Sequence, residues 1–470
     1  MTEQPRTRQE LYDLIRQTSK QEFILSEMIR LGFWDENSNN PEDPAEEIRR
    51  QGELQRQLQE LQQQNRQLHN EKALKKQLLK QRLEESKRKR QETKERNERK
   101  RQERSQAWQE KQAHEITYLG EDVSSGLNNL ENNCDRLQKN NLPVFQTIEE
   151  LAAAMGMTVG QLRFLAFDRK TSTVSHYIRF KIAKKTGGER LISAPMPRMK
   201  STQDWILDRI LEKIPMHSAA HGFRRGRSIV TNATPHVGTD VVVNLDLQDF
   251  FPSISYKRVK GLFQALGYSE AIATVLALVC TEATTEEVEL DGKSYFIATS
   301  DRHLPQGAPT SPAITNLLCR RLDKRLANMA VSQGFIYTRY ADDLTFSTSG
   351  DAIRNLCNIL KHTENIVSHE GFTIHPNKTR VLRKSQQQEV TGIVVNEKLN
   401  VDRATLKKFR ATLHHIEKDG LAGKHWGSGN DLMAEIEGFA NYVMMVNPEK
   451  GEPLVKQVKL IKKKYGLRKR

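Results

Sequence analysis

The apolar positions of this chain follow two different rhythms, and the change between them divides it. Over residues 9–33, Leu11, Leu14, Ile15, Phe23, Ile24, Met28 and Ile29 recur at helical spacing. The stretch Asp35 to Pro44, rich in Asn, Glu, Asp and Pro, breaks that pattern. From Glu53 to Lys111 there is neither Gly nor Pro, and good helix formers dominate. Leu54, Leu58, Leu61, Asn65 and Leu68 keep the 4-3-4-3 spacing of a coiled-coil seam, with Asn65 in its core. Lys72 and Lys75 take the next seam positions, so the seam lasts roughly two heptads. Beyond Gln81 the predicted helix has almost no apolar face.

Near Ala113 the composition changes. Thr147 to Leu165 reads as helix, turn, helix. A DNA-binding helix-turn-helix has that pattern, and so do two packed helices opening a larger domain. From Tyr177 onward strands alternate with helices, which predicts an α+β fold. Val288 to Tyr295 is a predicted hairpin, because Asp291-Gly292 supplies the positive φ angles of a tight turn. The expected segments are a small helical one at 1–50, a long charged helix with coiled-coil character at 51–114, a helical connector at 115–165, a mixed domain at 166–385 and a basic C-terminal region at 386–470.

Charge narrows the partners. The net charge is +15. A polyanion is the natural partner of such a surface, since each Lys or Arg at a phosphate releases counterions, although a basic soluble protein without one has the same balance. Residues 81–105 hold 11 Lys/Arg against 6 Asp/Glu, which fits either a solvated helix or an RNA-binding arm. Residues 453–470 carry eight basic side chains and no acidic one, Lys456 and Lys459 among them. Cys134, Cys280, Cys319 and Cys357 form no CxxC pair, which argues against a zinc site or a disulfide framework. The polar start Met1-Thr2-Glu3-Gln4-Pro5 lacks a signal peptide's apolar core, and no uncharged apolar run reaches the ~18 residues of a membrane span. A cytoplasmic protein with no membrane partner is expected.

Three carboxylates stand out. Tyr340-Ala341-Asp342-Asp343 lies within Ile336 to Ser347, a strand–turn–strand pattern with two aspartates at the tip. Taken alone it reads better as an ordinary surface turn, where Asp is frequent. Val241-Val-Val-Asn-Leu-Asp246 is a buried β-branched run ending in a third aspartate, with Asp249 three residues on as a helix-start or structural group. Nucleotidyl transfer needs two divalent cations ~4 Å apart, and magnesium prefers such hard oxygen ligands. Between the two segments, Leu304-Pro305-Gln306-Gly307-Ala308-Pro309-Thr310-Ser311-Pro312 forms a turn opening a helix. It could set Gln306 and backbone amides against a nucleotide.

The order of these segments, with Gly371-Phe-Thr-Ile-His-Pro-Asn377-Lys378-Thr379 after them, resembles the palm of reverse transcriptases. The resemblance covers about Ile148 to Pro448. It implies a right-hand polymerase fold of fingers, palm and thumb, with fingers and palm over 166–385 and thumb plus RNA-binding tail over 386–470, preceded by the long helical, partly coiled-coil extension. It further implies two Mg2+ ions on Asp246, Asp342 and Asp343, and deoxynucleoside triphosphate substrates. Tyr177 to Pro195 resembles the fingers hairpin, so Arg190 and Lys181 would contact the triphosphate, a solvated strand lysine being an equal reading of Lys181. Phe251, five residues after Asp246, occupies the position of a steric gate against a 2′-OH, and plain core packing beside Phe250 also fits. Lys378 would protonate pyrophosphate or contact a phosphate.

His221-Gly-Phe-Arg-Arg-Gly-Arg-Ser-Ile229 leads into Asn232-Ala233-Thr234-Pro235-His236, an NAxxH pattern, and Val390-Thr391-Gly392 is a VTG pattern. Together these are similar to the retron reverse transcriptases of bacteria. That resemblance implies recognition of a cognate noncoding RNA involving Asn232, His236, Val390, Thr391, Gly392, Lys456 and Lys459. It also implies priming from a guanosine 2′-OH, a branched RNA–DNA product, and antiphage defence with an effector protein. Helix capping is the plainer reading of Asn232 and His236. A group II intron-type enzyme is the polymerase alternative, and a noncatalytic RNA-binding scaffold the alternative of another class. For residues 53–111 three readings compete: a coiled coil that self-associates through 53–79, a helix that docks an effector, and a solvated spacer or RNA arm.

Overall fold

The computed structural model describes residues 71–465 except 184–186, 428 and 430, together with residues 8, 9, 12, 27, 28, 31–33 and 61. The chain divides into two units, 1–105 and 106–470, and the division falls within helix α1, Glu71–His114.

The part of α1 in the first unit is polar all round. Leu74, Leu78, Leu79 and Leu83 are exposed. Pairs at i,i+4 such as Glu85–Lys89 at 3.2 Å and Arg88–Glu92 at 3.5 Å lie along it, each supporting a helix by a few tenths of a kcal/mol. The predicted leucine seam falls outside the described residues apart from Leu61, which is exposed.

In the second unit, α2 (Cys134–Lys139), α3 (Ile148–Ala154) and α4 (Val159–Ala166) come first. Thr147 caps α3, and Thr158 with Gln161 forms a capping box on α4. Leu151 and Leu162 are fully buried in the main core, so the helix–turn–helix pattern is a packing unit. Residues of the predicted connector thereby belong to the main core. A short strand β1 (Thr171–Ser172) follows, then the hairpin β2 (Tyr177–Ala183) and β3 (Glu189–Pro195). After α5 (Pro197–Arg209) and α6 (Ile229–Ala233) comes β4 (Val241–Asp246), whose Val241, Val242 and Val243 are buried. Helices α7 (Tyr256–Leu266) and α8 (Glu270–Cys280) pack behind it. Every residue of α8 after Glu270 is buried, as expected of a helix apolar on all faces.

The predicted hairpin is β5 (Thr285–Leu290) and β6 (Lys293–Ala298), turned at Asp291 and Gly292 with φ of 51° and 69°. Next come α9 (Thr310–Leu318), α10 (Arg320–Ser332), β7 (Ile336–Tyr340), β8 (Asp343–Thr348), α11 (Leu356–His369) and β9 (Arg380–Arg383). The central four-stranded sheet is antiparallel in the order β7-β8-β4-β9. A small hairpin, β10 (Glu389–Val390) and β11 (Ile393–Val394), leads to α12 (Arg403–Asp419), α13 (Leu432–Val446) and α14 (Pro448–Lys464). These three helices enclose a second core around Phe409, Ile436, Val443 and Val458, to which Ala233 and Val242 contribute from the palm side.

Candidate active site

Sheet register brings the carboxylates together. Asp246, the last residue of β4, pairs directly with Asp343, the first of β8. Tyr340 pairs with Asp343 across a two-residue turn made of Ala341 and Asp342. Ala341 has φ of 56°, the region that favours glycine at the first position of such a turn. Several contacts hold it there. Leu247 N–H donates to the Asp342 carbonyl at 3.0 Å. Arg339 Nη1 donates to the Ala341 carbonyl at 3.0 Å, while Nε and Nη2 each donate to Asp323 at 2.7 Å. From the other side, a Cβ on Gly222 would come within 2.5 Å of the Ala341 nitrogen, so only glycine allows this approach.

Burial, then the neighbouring Asp342 and Asp246 charges, push the Asp343 carboxyl up to about 7. Asp342 is raised as well, by burial first, while Lys378 and Arg190 act in the opposite direction. Lys378 Nζ sits 2.8 Å from Asp246 Oδ1. This is an excess of negative charge held near one ammonium, a donor set of hard oxygens that suits magnesium. Among the described residues no three ligating side chains already converge on one point.

The other predicted contacts distribute unevenly. Ser193 N–H donates to the Gln306 carbonyl at 2.8 Å, and a Cβ on Gly307 would meet the Ser193 carbonyl at 2.9 Å, so the turn before α9 is tied to β3. Arg190 pairs with Ile182 in the fingers hairpin. Lys181 pairs with Leu191, one register position away and hence on the opposite face. There it forms an exposed ion pair with Glu189 at 2.8 Å. Phe251 is half-buried, its ring centroid 5.6 Å from Phe250 and 6.4 Å from Phe223.

The NAxxH and VTG residues divide into buried and accessible ones. Asn232, His236 and Val390 are fully buried, so they cannot contact RNA directly. The His236 ring nitrogens lie 2.6 Å from Ser347 Oγ and 2.8 Å from Thr338 Oγ1, which clamps the 3-10 turn after α6 to β7 and β8. Asn232 Nδ2 reaches Thr391 Oγ1 at 3.5 Å. Thr391 and Gly392 form the turn between β10 and β11 with φ of 47° and 80°. Tyr442 of α13 donates its hydroxyl to the Gly392 carbonyl at 2.9 Å, and Asn244 of β4 donates to the Glu389 carbonyl at 2.8 Å. The motif pair thus joins α6 and β4 to the C-terminal helices. Lys456 and Lys459 lie on the exposed face of α14, opposite Leu454, Val458 and Ile461.

Residues 182–395 match the reverse transcriptase (RNA-dependent DNA polymerase) family. The chain is 43% identical over 338 residues to the retron Mx162 reverse transcriptase of Myxococcus xanthus, covering 69% of this chain and 69% of that one. It is 33% identical to the retron Ec86 reverse transcriptase of Escherichia coli, covering 71% of this chain and 95% of the relative. This chain belongs to the retron reverse transcriptases. A telomerase of Candida tropicalis, solved with a fragment of telomeric RNA, overlaps 63% of this retron enzyme and 55% of its own chain with a TM-score of 0.38 at 12% identity. By its family match and its retron relatives the retron reverse transcriptase is an RNA-directed DNA polymerase. Among its described residues no helix is long and apolar enough to cross a membrane. Sequence reasoning missed Arg339, Asp323 and Gly222 as supports of its catalytic turn, although Gly222 stood in a segment noted for its resemblance.

Proposed function

We propose that this reverse transcriptase binds a structured noncoding RNA encoded beside it. It copies part of that RNA into DNA from the 2′-OH of a guanosine and leaves a 2′,5′-branched RNA–DNA hybrid. The role is antiphage defence together with an effector protein. The observation that carries the catalytic part is the direct pairing of Asp246 with Asp343 beside Asp342 on its tight turn.

Asp246, Asp342 and Asp343 would hold two magnesium ions, which when bound activate the attacking hydroxyl and neutralise the leaving pyrophosphate. Lys378 balances Asp246 in their absence and delivers a proton to pyrophosphate once released from it. Arg190, whose charge already acts on Asp342, binds the triphosphate of the incoming deoxynucleotide. Lys181, on the opposite face and paired with Glu189, takes no part in that contact. Gln306 borders the base and sugar, and Phe251 excludes a 2′-OH by its bulk. Lys456 and Lys459, with the exposed Gly392 turn, supply charge and contacts for the cognate RNA. The segment around residues 53–79 makes protein contacts, either with a second copy or with the effector, and Lys87 to Arg104 lies against nucleic acid or solvent.

The test is an Asp342→Ala/Asp343→Ala enzyme. DNA synthesis should vanish while binding of the noncoding RNA persists. Near-normal synthesis by that variant would remove the carboxylates from the chemistry.

A further inference from the structure

Phe223 has a conformation that its own fold does not reward. Its φ is 54°, a region that costs a bulky residue energy and that glycine adopts freely. Its ring is 55% exposed, so core burial does not offset that cost. The backbone before it is fixed, and the Arg224 side chain after it is tied back to the same loop. His221 N–H donates to the Arg339 carbonyl at 2.8 Å, Asn316 Nδ2 donates to the Gly222 carbonyl at 2.9 Å, and Arg224 Nη1 donates to the His217 carbonyl at 3.0 Å. A glycine would therefore serve this loop better, unless the ring meets something the free protein lacks.

What lies beside the ring indicates what that is. Its centroid is 6.3 Å from that of Tyr340, which opens the catalytic turn, and 6.4 Å from that of Phe251. The three side chains form an open aromatic surface running from the carboxylates to the candidate sugar gate. A primer whose terminal hydroxyl reaches Asp342 and Asp343, followed by a nucleotide whose sugar reaches Phe251, leaves its last nucleotide over the ring between them.

We propose that Phe223 is a positioning residue for the primer strand, its ring packing against the sugar and base of the primer-terminal nucleotide. The inference rests on the reading of Phe251 as the neighbour of the incoming sugar. Aromatic contacts to a nucleotide are lost on truncation by about fivefold to a hundredfold in affinity.

The experiment uses the full chain on a primer–template with an ordinary 3′-OH, so it is independent of 2′-OH priming. Phe223→Gly removes the ring and relieves the backbone. Its melting temperature should equal or exceed that of the parent, and the KM for primer–template should rise roughly tenfold. The KM for deoxynucleotide should stay within about twofold of the parent value. Phe223→Tyr should restore the primer KM and Phe223→Leu should not. An unchanged primer KM in the glycine variant overturns the proposal. So does an equal rise in both KM values, which would mean that the catalytic turn has moved. Ribonucleotide discrimination by Phe251→Val is measured in parallel. If it is unchanged, the gate reading fails on its own, while the Phe223 primer effect is read separately.

Discussion

Arg339 offers a way to separate holding the fold from aiming the catalytic turn. Both Arg339 and Asp323 are fully buried, and the Tyr337 hydroxyl donates to the same carboxylate at 2.9 Å. Arg339→Met alone strands the Asp323 charge in the core, at a cost of about 3–5 kcal/mol. That is a large part of a typical ~5–15 kcal/mol stability, so lost activity in that variant would only report a damaged fold. The informative variant is Arg339→Met/Asp323→Leu/Tyr337→Phe, which removes both charges and the hydroxyl that would lack an acceptor. Exchanging a buried ion pair for apolar side chains is often neutral, or stabilising by about 1–4 kcal/mol. It does not restore the donor to the Ala341 carbonyl, a charged hydrogen bond of about 1.5–3 kcal/mol. That bond opposes backbone strain of about 1–3 kcal/mol at φ 56°. The two are comparable, so without the donor the turn relaxes and Asp342 and Asp343 shift. A displacement of ~1 Å at a reacting centre costs about 100-fold in rate. The triple variant should melt near the parent temperature and keep its KM for primer–template, yet extend a primer roughly 100-fold more slowly in single-turnover experiments. Parental melting together with a parental extension rate would refute the reasoning.

Phe251→Val should admit ribonucleotides more readily, as measured by single-nucleotide extension with matched ribo- and deoxynucleotides; an unchanged preference would return Phe251 to the core. Burial holds His236 down at about 3, below its ordinary 6.5, so the fold favours the neutral ring. Its contribution is complete above pH 6.5 and is lost as the pH falls toward 3, by an amount on the order of a few kcal/mol. Urea titrations across that window should therefore show a shallower acid loss for His236→Gln, and parallel curves would count against the assignment. Deleting residues 53–111 should leave extension of a simple primer–template largely intact while disturbing assembly with RNA and partner protein. Light scattering and reconstitution measure the second effect, and loss of basic extension would mean that the helix belongs to the catalytic fold.

The parts of the site that the sequence reveals are those where local pattern and tertiary role coincide. The β-branched run ending in Asp246 could only be an inner strand, and Asp291-Gly292 could only be a tight turn. In β7 pattern and role diverge. Ile336 is 42% exposed and Arg339 is fully buried, the reverse of what polarity suggests. The difference comes from Asp323, sixteen positions earlier on α10, and no local periodicity announces a partner at that distance. NAxxH misleads for a related reason. The retron resemblance implied that Asn232 and His236 take part in RNA recognition, whereas Ser347 and Thr338 make His236 an interior clamp. The two helices at 148–166 were legible as a packed pair opening a larger domain, and their packing against α8 shows which core they join.

The palm register also orders events during synthesis of the protein itself. Asp343 follows Asp246 by 97 positions, and β9, which covers the other edge of β4, begins at Arg380. Such distant strands pay loop-closure entropy before their contacts reward them, so they pair late. A nascent chain that has emerged only through β4 carries an apolar strand with both edges open and a single carboxylate. The carboxylate cluster comes into being only when β8 docks, and β4 loses its second edge only after β9 has left the ribosome. Polymerase chemistry and protection from strand-to-strand aggregation therefore arrive close together, late in translation.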